Sequence, residues 1–272
     1  MFNKRDLVLM PADFERIRRL IYARAGIVLT EHKKEMVYSR LARRLQHHGM
    51  ADFKEYIDQL ERYPGSSEWD AFTNALTTNL TAFFREAHHF PLLAAHIAER
   101  RAPIRIWCAA ASTGEEPYSI AMTAIETLGS AAANQVQVIG TDIDTDALEI
   151  ARSGIYSVDQ VLKLGPERVR RFFQRGKGSR GGLARVHPTV SRLVEFKSLN
   201  LCAPRWPLDG PFDVIFCRNV MIYFDRKTQA EILQRFAPML KPDGLLIAGH
   251  SENFTQMDSR FRLLGKTVYG LK

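Results

Sequence analysis

Apolar positions along the first sixty residues recur at helical spacing. Phe14, Ile17, Leu20 and Ile21 form one stripe that ends at Gly26. Thr30 is placed to cap a second helix, whose stripe is Met36, Val37, Leu41 and Leu45, with Gly49 as its stop. Phe53, Tyr56, Ile57 and Leu60 mark a third. Three such stripes, each closed by a stop signal, predict a small all-helical module over residues 1 to about 63. Tyr63-Pro64-Gly65-Ser66-Ser67 breaks the pattern and reads as a hinge or boundary. A short helical stretch follows around Trp69 to Ala75, then Leu76 to Glu86, which is polar, β-branched and aromatic and reads as a linker.

From Ile104 the period changes. Short apolar runs alternate with helical stripes, the pattern of a parallel sheet wrapped by helices. The predicted strands are Ile104–Ala109, Val136–Thr141, Val194–Ser198, Phe212–Cys217, Leu245–His250 and Thr267–Leu271. Leu240-Lys241-Pro242-Asp243-Gly244 reads as a turn into the fifth. Between Ser153 and Arg192 the alternation fails. That stretch predicts a helix at Glu167 to Phe173, then a glycine-rich turn, Gly176 to Gly182, then the strand-like Leu183-Ala184-Arg185-Val186. It reads as an inserted hairpin, either simply solvent-exposed or offering a strand edge that a peptide could extend.

The chemistry gathers where strands end. Ile104 to Tyr118 reads as strand, tight turn and helix, and Ala109 to Gly114 in its turn carry almost no side-chain bulk. A ligand can approach the backbone there, at the carboxyl end of a strand, where open α/β sheets bind small molecules. The second strand ends at Asp142, placed to accept hydrogen bonds from both hydroxyls of a ribose. Neither G-x-G-x-x-G nor G-x-x-x-x-G-K-[ST] is present, so a pyrophosphate would find little glycine-lined backbone. The combination favours a nucleoside without phosphates, and S-adenosylmethionine is the obvious one. Arg218 and Asn219 follow a buried-looking apolar run, a position for functional polar groups. Asn79, Thr81 and Arg85 could project from the linker into the same site. Glu86, His88, His89 and His96 have no second carboxylate or cysteine cluster with them, so no metal site is expected.

Composition narrows the setting. The chain has 272 residues, room for one large or two modest domains. No apolar run approaches the ~20 residues of a membrane span, and Met1 to Met10 lacks a signal-peptide core. Three well-separated cysteines, Cys108, Cys202 and Cys217, fit reduced thiols in a cytoplasm. The net charge of +8 suits an acidic partner without choosing which. From Lys33 to His48 only Glu35 is acidic, so the second helix reads either as a solvated basic face or as a docking surface.

The long runs Leu76–Pro91 (LTTNLTAFFREAHHFP), Ala109–Ile120 (AAASTGEEPYSI), Phe212–Asp225 (FDVIFCRNVMIYFD), Asp142–Thr145 with Ala151–Tyr156, and Leu240–Leu245 into Gly249–Phe254 resemble the CheR family, the chemotaxis receptor methyltransferases. The resemblance spans nearly the whole chain. It implies an α/β, seven-stranded Rossmann-like S-adenosylmethionine-dependent methyltransferase domain over 76–272, with an inserted small β-subdomain at about 160–192. An all-α docking domain and linker over 1–75 would precede it. It implies a cytoplasmic protein-glutamate O-methyltransferase that makes glutamyl methyl esters and S-adenosylhomocysteine. Asn79, Thr81, Arg85, Glu116, Asp142, Asn200, Leu201, Arg218 and Asn219 would hold the cofactor, with Tyr223 beside the transferred methyl and Arg85 sharing the catalytic role. Arg40, Arg43 and Arg44 would meet the acidic methylation helices of methyl-accepting chemotaxis receptors. Gly176, Gly178, Gly182 and Arg185 would shape a hairpin that binds a peptide at the receptor's C-terminus. No nucleic acid and no membrane insertion are implied. A nucleic-acid methyltransferase would share the fold, but the Asp/Asn-Pro-Pro-aromatic loop of base-flipping enzymes is absent. A non-catalytic adaptor is the other rival, against which the intact Asn79, Arg85, Glu116, Asp142 and Tyr223 argue.

Overall fold

The computed structural model describes residues 7–255 and 257–272. The first six residues of the predicted helical module lie outside them. Four helices come first: α1 (Pro11–Ala25), α2 (Lys34–His48), α3 (Phe53–Arg62) and α4 (Glu68–Leu76). Their ends follow the sequence signals. Gly26 and Gly49 take left-handed φ of 70° and 67° to stop α1 and α2. Asp52 caps α3 by accepting from the Glu55 N–H at 2.8 Å. Phe14, Ile17, Ile21, Val37, Leu41, Leu45, Phe53, Ile57 and Phe72 close a core separate from the rest of the chain. Leu20 and Met36, expected inside, are only half-buried. The break at Tyr63 to Ser67 is an internal turn, because Trp69, Phe72 and Leu76 of α4 still pack in that core.

The chain then crosses to the sheet domain through residues 77–88, which hold no regular helix. Phe84 and Glu86 there have φ of 52° and 53°. The elements that follow are α5 (His89–Ala98), β1 (Ile104–Cys108), α6 (Glu115–Leu128), α7 (Ala132–Gln135), β2 (Val136–Asp142) and α8 (Thr145–Ser153). Next come β3 (Ile155–Ser157), α9 (Val158–Leu162), α10 (Pro166–Phe172), β4 (Phe173–Arg175), β5 (Leu183–Val186), α11 (Pro188–Ser191) and β6 (Val194–Ser198). The chain closes with β7 (Phe212–Cys217), α12 (Arg226–Phe236), β8 (Leu240–Ala248), β9 (Phe261–Gly265) and β10 (Val268–Leu271).

Seven strands form one sheet in the order β6-β2-β1-β7-β8-β10-β9. The first five run parallel and β10 enters antiparallel between β8 and β9. The order reverses between β2–β1 and β7, so the carboxyl ends of β1, β2 and β7 open a crevice at a topological switch point. All six residues of β7 are buried, as a central parallel strand covered on both faces demands. One face packs Ile106, Val138 and Phe216 under α5 and α6, and the other packs Trp107, Ile139 and Ile215 under α12.

Three differences from the predicted elements have physical reasons. β9 is a seventh strand that the apolar pattern did not reveal, since Arg262, Leu263 and Leu264 are all exposed on this edge. The predicted turn Leu240–Gly244 belongs to β8. Phe212 pairs with Leu240 but Val214 with Leu245, so the extra residues bulge out of the ladder. The inserted hairpin is β4–β5, and Ile155–Ser157, just ahead of the expected insert, adds β3 to make an antiparallel sheet in the order β3-β5-β4.

Candidate active site

The turn after β1 folds back onto the end of β2. Ala111 N–H donates to the Thr141 carbonyl at 2.9 Å, and Ser112 N–H to Asp142 Oδ2 at 2.7 Å. Ser112 and Gly114 have φ of 49° and 98°. A Cβ on Gly114 would sit 2.8 Å from the Tyr156 hydroxyl, so the close turn needs glycine there. Asp144 N–H donates to Asp142 Oδ1 at 2.9 Å. Each oxygen of Asp142 therefore has one backbone partner, which leaves lone pairs facing the crevice. Burial pushes the Asp142 carboxyl up to about 6, against the pull of those two N–H groups.

Two adjoining hollows open over this turn. They share Ala110, Asp142, Val220 and Tyr223. The first is mostly apolar, walled by Ile143, Leu199, Leu201 and Phe224. The second is polar and is lined by Asn79, Thr81, Arg85, Ser112, Glu116, Arg218 and Asn219. An apolar slot, a carboxylate and a polar slot, in that order, suit a base, a ribose and an amino-acid tail.

Most of the predicted site residues thus meet in one place, but several do different work from that expected. Asn79 is partly spent bracing the linker, since its Nδ2 donates to Asp144 at 2.6 Å and its Oδ1 accepts from Ser112 Oγ at 3.0 Å. One donor and one acceptor remain. Arg85 folds back to donate to the Leu80 carbonyl at 2.7 Å. Asn200 turns its amide away from the hollow it lines, donating to the Arg24 carbonyl at 2.7 Å and accepting from Cys202 N–H at 2.8 Å. Glu116 is buried, and its Oε2 lies 2.7 Å from Arg218 Nε, an ion pair by distance whose N–H is not aimed along a hydrogen bond. Burial raises the Glu116 carboxyl and Arg218 opposes that rise.

Arg218 is itself held from three sides. It faces His89 Nδ1 at 2.9 Å and donates to the Arg85 carbonyl at 2.6 Å, besides its pairing with Glu116. Burial pushes His89 down to about 4, so its neutral ring can accept from Arg218 while Nε2–H faces the Lys266 carbonyl at 3.1 Å. Donor atoms of Glu86, His88 and His89 lie within 4.8 Å of one another. A cation there would compete with Arg218 for His89.

Two contributions were not foreseen. Ala25 and Ile27, from the loop after α1, wall the apolar hollow. Val28 N–H donates to the Tyr223 carbonyl at 2.9 Å, and the Tyr22 hydroxyl donates to Asp225 at 2.7 Å. The helical module therefore completes the site. Gly26, at the bend, would place a Cβ 2.5 Å from Cys202 Sγ. The second is Glu252, buried in the loop after β8, which accepts from the backbone N–H groups of Asn219, Val220, Met221 and Gly249.

The predicted docking residues separate. Arg44 pairs with Glu68, and Arg40 donates to the carbonyls of Ala75 and Thr77, so both tie α2 to α4 and its exit. Neither is a free surface cation. Arg43 is exposed. In the hairpin, a Cβ on Gly176 would lie 2.1 Å from the Arg180 carbonyl oxygen, and Gly178 has φ of 58°. Gly182 has open space beside it, and Arg185 is exposed on the central strand β5.

Residues 79–270 match the family model described as CheR methyltransferase, SAM binding domain, and residues 12–77 match CheR methyltransferase, all-alpha domain. The chain belongs to the CheR methyltransferase family. It is 58% identical over 265 residues to the chemotaxis protein methyltransferase of Escherichia coli (strain K12), covering 97% of this chain and 92% of that one. The Salmonella typhimurium protein of the same name is 57% identical, with the same coverage. Chemotaxis protein methyltransferase 2 of Pseudomonas aeruginosa is 48% identical over 99% of this chain and 96% of its own length. Membership in CheR makes the cofactor S-adenosylmethionine, and the crevice has the donor set for it: apolar walls, a carboxylate with spare lone pairs, and a polar end. No helix among the described residues is long and apolar enough to cross a membrane.

Proposed function

We propose that the chain methylates glutamate side chains of methyl-accepting chemotaxis receptors, forming glutamyl methyl esters. The relatives' shared name supports the chemotaxis setting. The choice of acceptor rests on one observation: the polar hollow has no free base. Among the described residues, neither histidine nor lysine lines it. Its two carboxylates are committed, Glu116 to Arg218 and Asp142, with one backbone N–H on each oxygen, to the ribose hydroxyls. Such a site suits an acceptor that arrives ionised, and a glutamate, with an ordinary pKa of about 4.3, does so at neutral pH.

When bound, S-adenosylmethionine supplies a methyl on a positively charged sulfur. The acceptor oxygen bonds to the methyl carbon as the carbon–sulfur bond breaks, and no proton moves. The protein's work is then alignment and exclusion of water. Asp142 accepts the ribose hydroxyls, Leu199, Leu201 and Ile27 cover the base, and Glu116 and Asn219 face the amino-acid end. Tyr223, where the hollows meet, orients the reacting groups. Arg85 releases the Leu80 carbonyl to guide the incoming carboxylate, which it can hold bidentately.

Residues 1–75 serve in this reading as the docking domain and linker, with Arg43 on its exposed basic face. Residues 76–272 carry catalysis, with the β-subdomain at about 160–192. There β4 is an edge strand, open to addition of a receptor C-terminal peptide. The test is transfer of label from the cofactor methyl to a receptor fragment. The reading expects base-labile label that leaves as methanol and is lost when acceptor glutamates become alanine. Base-stable label would refute the ester.

A further inference from the structure

Tyr223 sits in a short 3₁₀ turn, Met221–Tyr223, that follows β7; Val28 N–H holds the Tyr223 carbonyl, and Gln229 Nε2 from α12 holds the carbonyls of Met221 and Phe224. The N–H groups that lead into the turn are held by a carboxylate from another loop. Glu252 Oε1 accepts from Val220 N–H at 3.0 Å and Met221 N–H at 2.8 Å. Its Oε2 accepts from Asn219 N–H at 2.9 Å and Gly249 N–H at 2.7 Å. Three successive N–H groups, beginning at a left-handed residue (Asn219 φ 57°), form a concavity of the kind that binds anions. Here the protein fills it with its own side chain. Glu252 is only 4% exposed and burial raises its carboxyl, so a carboxylate is kept here against a desolvation cost that the four N–H groups offset. Gly249 makes the fit possible. A Cβ there would lie 2.5 Å from Asn219 Nδ2 and 2.9 Å from Glu252 Oε2.

We infer that Glu252, admitted by Gly249, is a positioning residue for methyl transfer: it clamps the backbone from Asn219 to Met221 and thereby aims Tyr223 at the junction of the two hollows. The inference rests on the reading of Tyr223 as the residue beside the transferred methyl. It predicts a larger loss of turnover than of binding, because Asp142, Ile27, Leu199 and Leu201, which hold the nucleoside, lie on other loops, although Asn219, Val220 and Phe224 of the clamped loop also line the hollows.

Two variants reach the clamp by different routes. Glu252→Gln turns an NH₂ group toward two N–H donors. Gly249→Ala keeps the carboxylate and wedges the clamp apart. Both should lower kcat about tenfold or more, with the calorimetric Kd for S-adenosylmethionine within about threefold of the parent. A double-mutant cycle supplies the readout that simple destabilisation would not move. With Tyr223→Phe already present, Glu252→Gln should cost less than about twofold further in kcat. Equal loss of cofactor affinity and turnover in both variants, or full additivity with Tyr223→Phe, would overturn the inference. A slow Tyr223→Phe beside two variants of parental turnover would overturn the clamp alone. Parental turnover in Tyr223→Phe would overturn the role of Tyr223 and the clamp with it.

Discussion

The end of β2 and the loop after β8 each carry a carboxylate that collects backbone N–H groups, yet the two do opposite things. Asp142 accepts two such bonds, one on each oxygen, and keeps lone pairs for a ligand. Glu252 accepts four and keeps none aimed outward. Burial raises both carboxyls, so the pKa direction alone does not separate them. Lone-pair accounting does. A carboxylate with unspent acceptors at the carboxyl end of a strand is equipped to bind, and one with all acceptors spent on backbone is equipped to hold a loop.

The comparison breaks first at Asp142. Asp142→Ala removes both ribose bonds, each charge-assisted and worth about 1.5 kcal/mol or more, so cofactor affinity should fall about a hundredfold or more. Calorimetry measures it, and kcat at saturating cofactor should change little. Near-parental affinity would show that the spare lone pairs are not used. Next comes Tyr223→Phe, which removes one hydroxyl at the junction of the hollows. Turnover should fall about tenfold to a hundredfold with cofactor affinity nearly unchanged.

The pH dependence sharpens the contrast. With the Asp142 carboxyl at about 6, the acceptor form dominates at pH 7 and is lost as pH falls through that value. Affinity should drop about tenfold between pH 7 and pH 5, and the drop should vanish in Asp142→Asn. For the ligand-free protein the sign is reversed. A carboxyl raised from 3.8 to about 6 by folding favours the folded state below the lower value, and that contribution disappears as pH rises through the upper one.

How far the sequence disclosed all this follows from where the signal lies. β1, β2 and β7 were legible because central strands of a parallel sheet are apolar runs ending in polar residues, and the edge strand β6 by its alternation of Val194 and Phe196 with Glu195 and Lys197. β9 was not, because Leu263 and Leu264 are exposed neighbours on an edge and break the alternation. Asp142, Arg218 and Asn219 were legible as polar groups at strand ends. Glu252 was not, because its four partners are backbone N–H groups, which leave no side-chain pattern. Nor was the wall made by Ala25 and Ile27, since small and apolar residues after a helix read only as a stop and a connector.

The basic face of α2 repeats the same lesson with cations. Arg44 spends its guanidinium on Glu68, which also takes the Tyr56 hydroxyl at 2.7 Å, and Arg40 spends its own on the carbonyls at the exit of α4. Glu68 is buried, so removing Arg44 leaves its carboxylate only the Tyr56 hydroxyl and the His48 ring as partners. Arg44→Ala should therefore cost about 2 kcal/mol of stability, discounted for the partial exposure of the arginine, and lower Tm in a thermal melt. Arg43 is exposed, and Arg43→Ala should leave Tm unchanged. Its effect belongs to docking: about a threefold weaker interaction with an acidic receptor fragment at low salt, fading as ionic strength rises. The cofactor Kd should not move in either variant. If Arg43→Ala alters nothing at low salt while Arg44→Ala weakens receptor binding without loss of stability, then spent and unspent charges have been assigned the wrong way round.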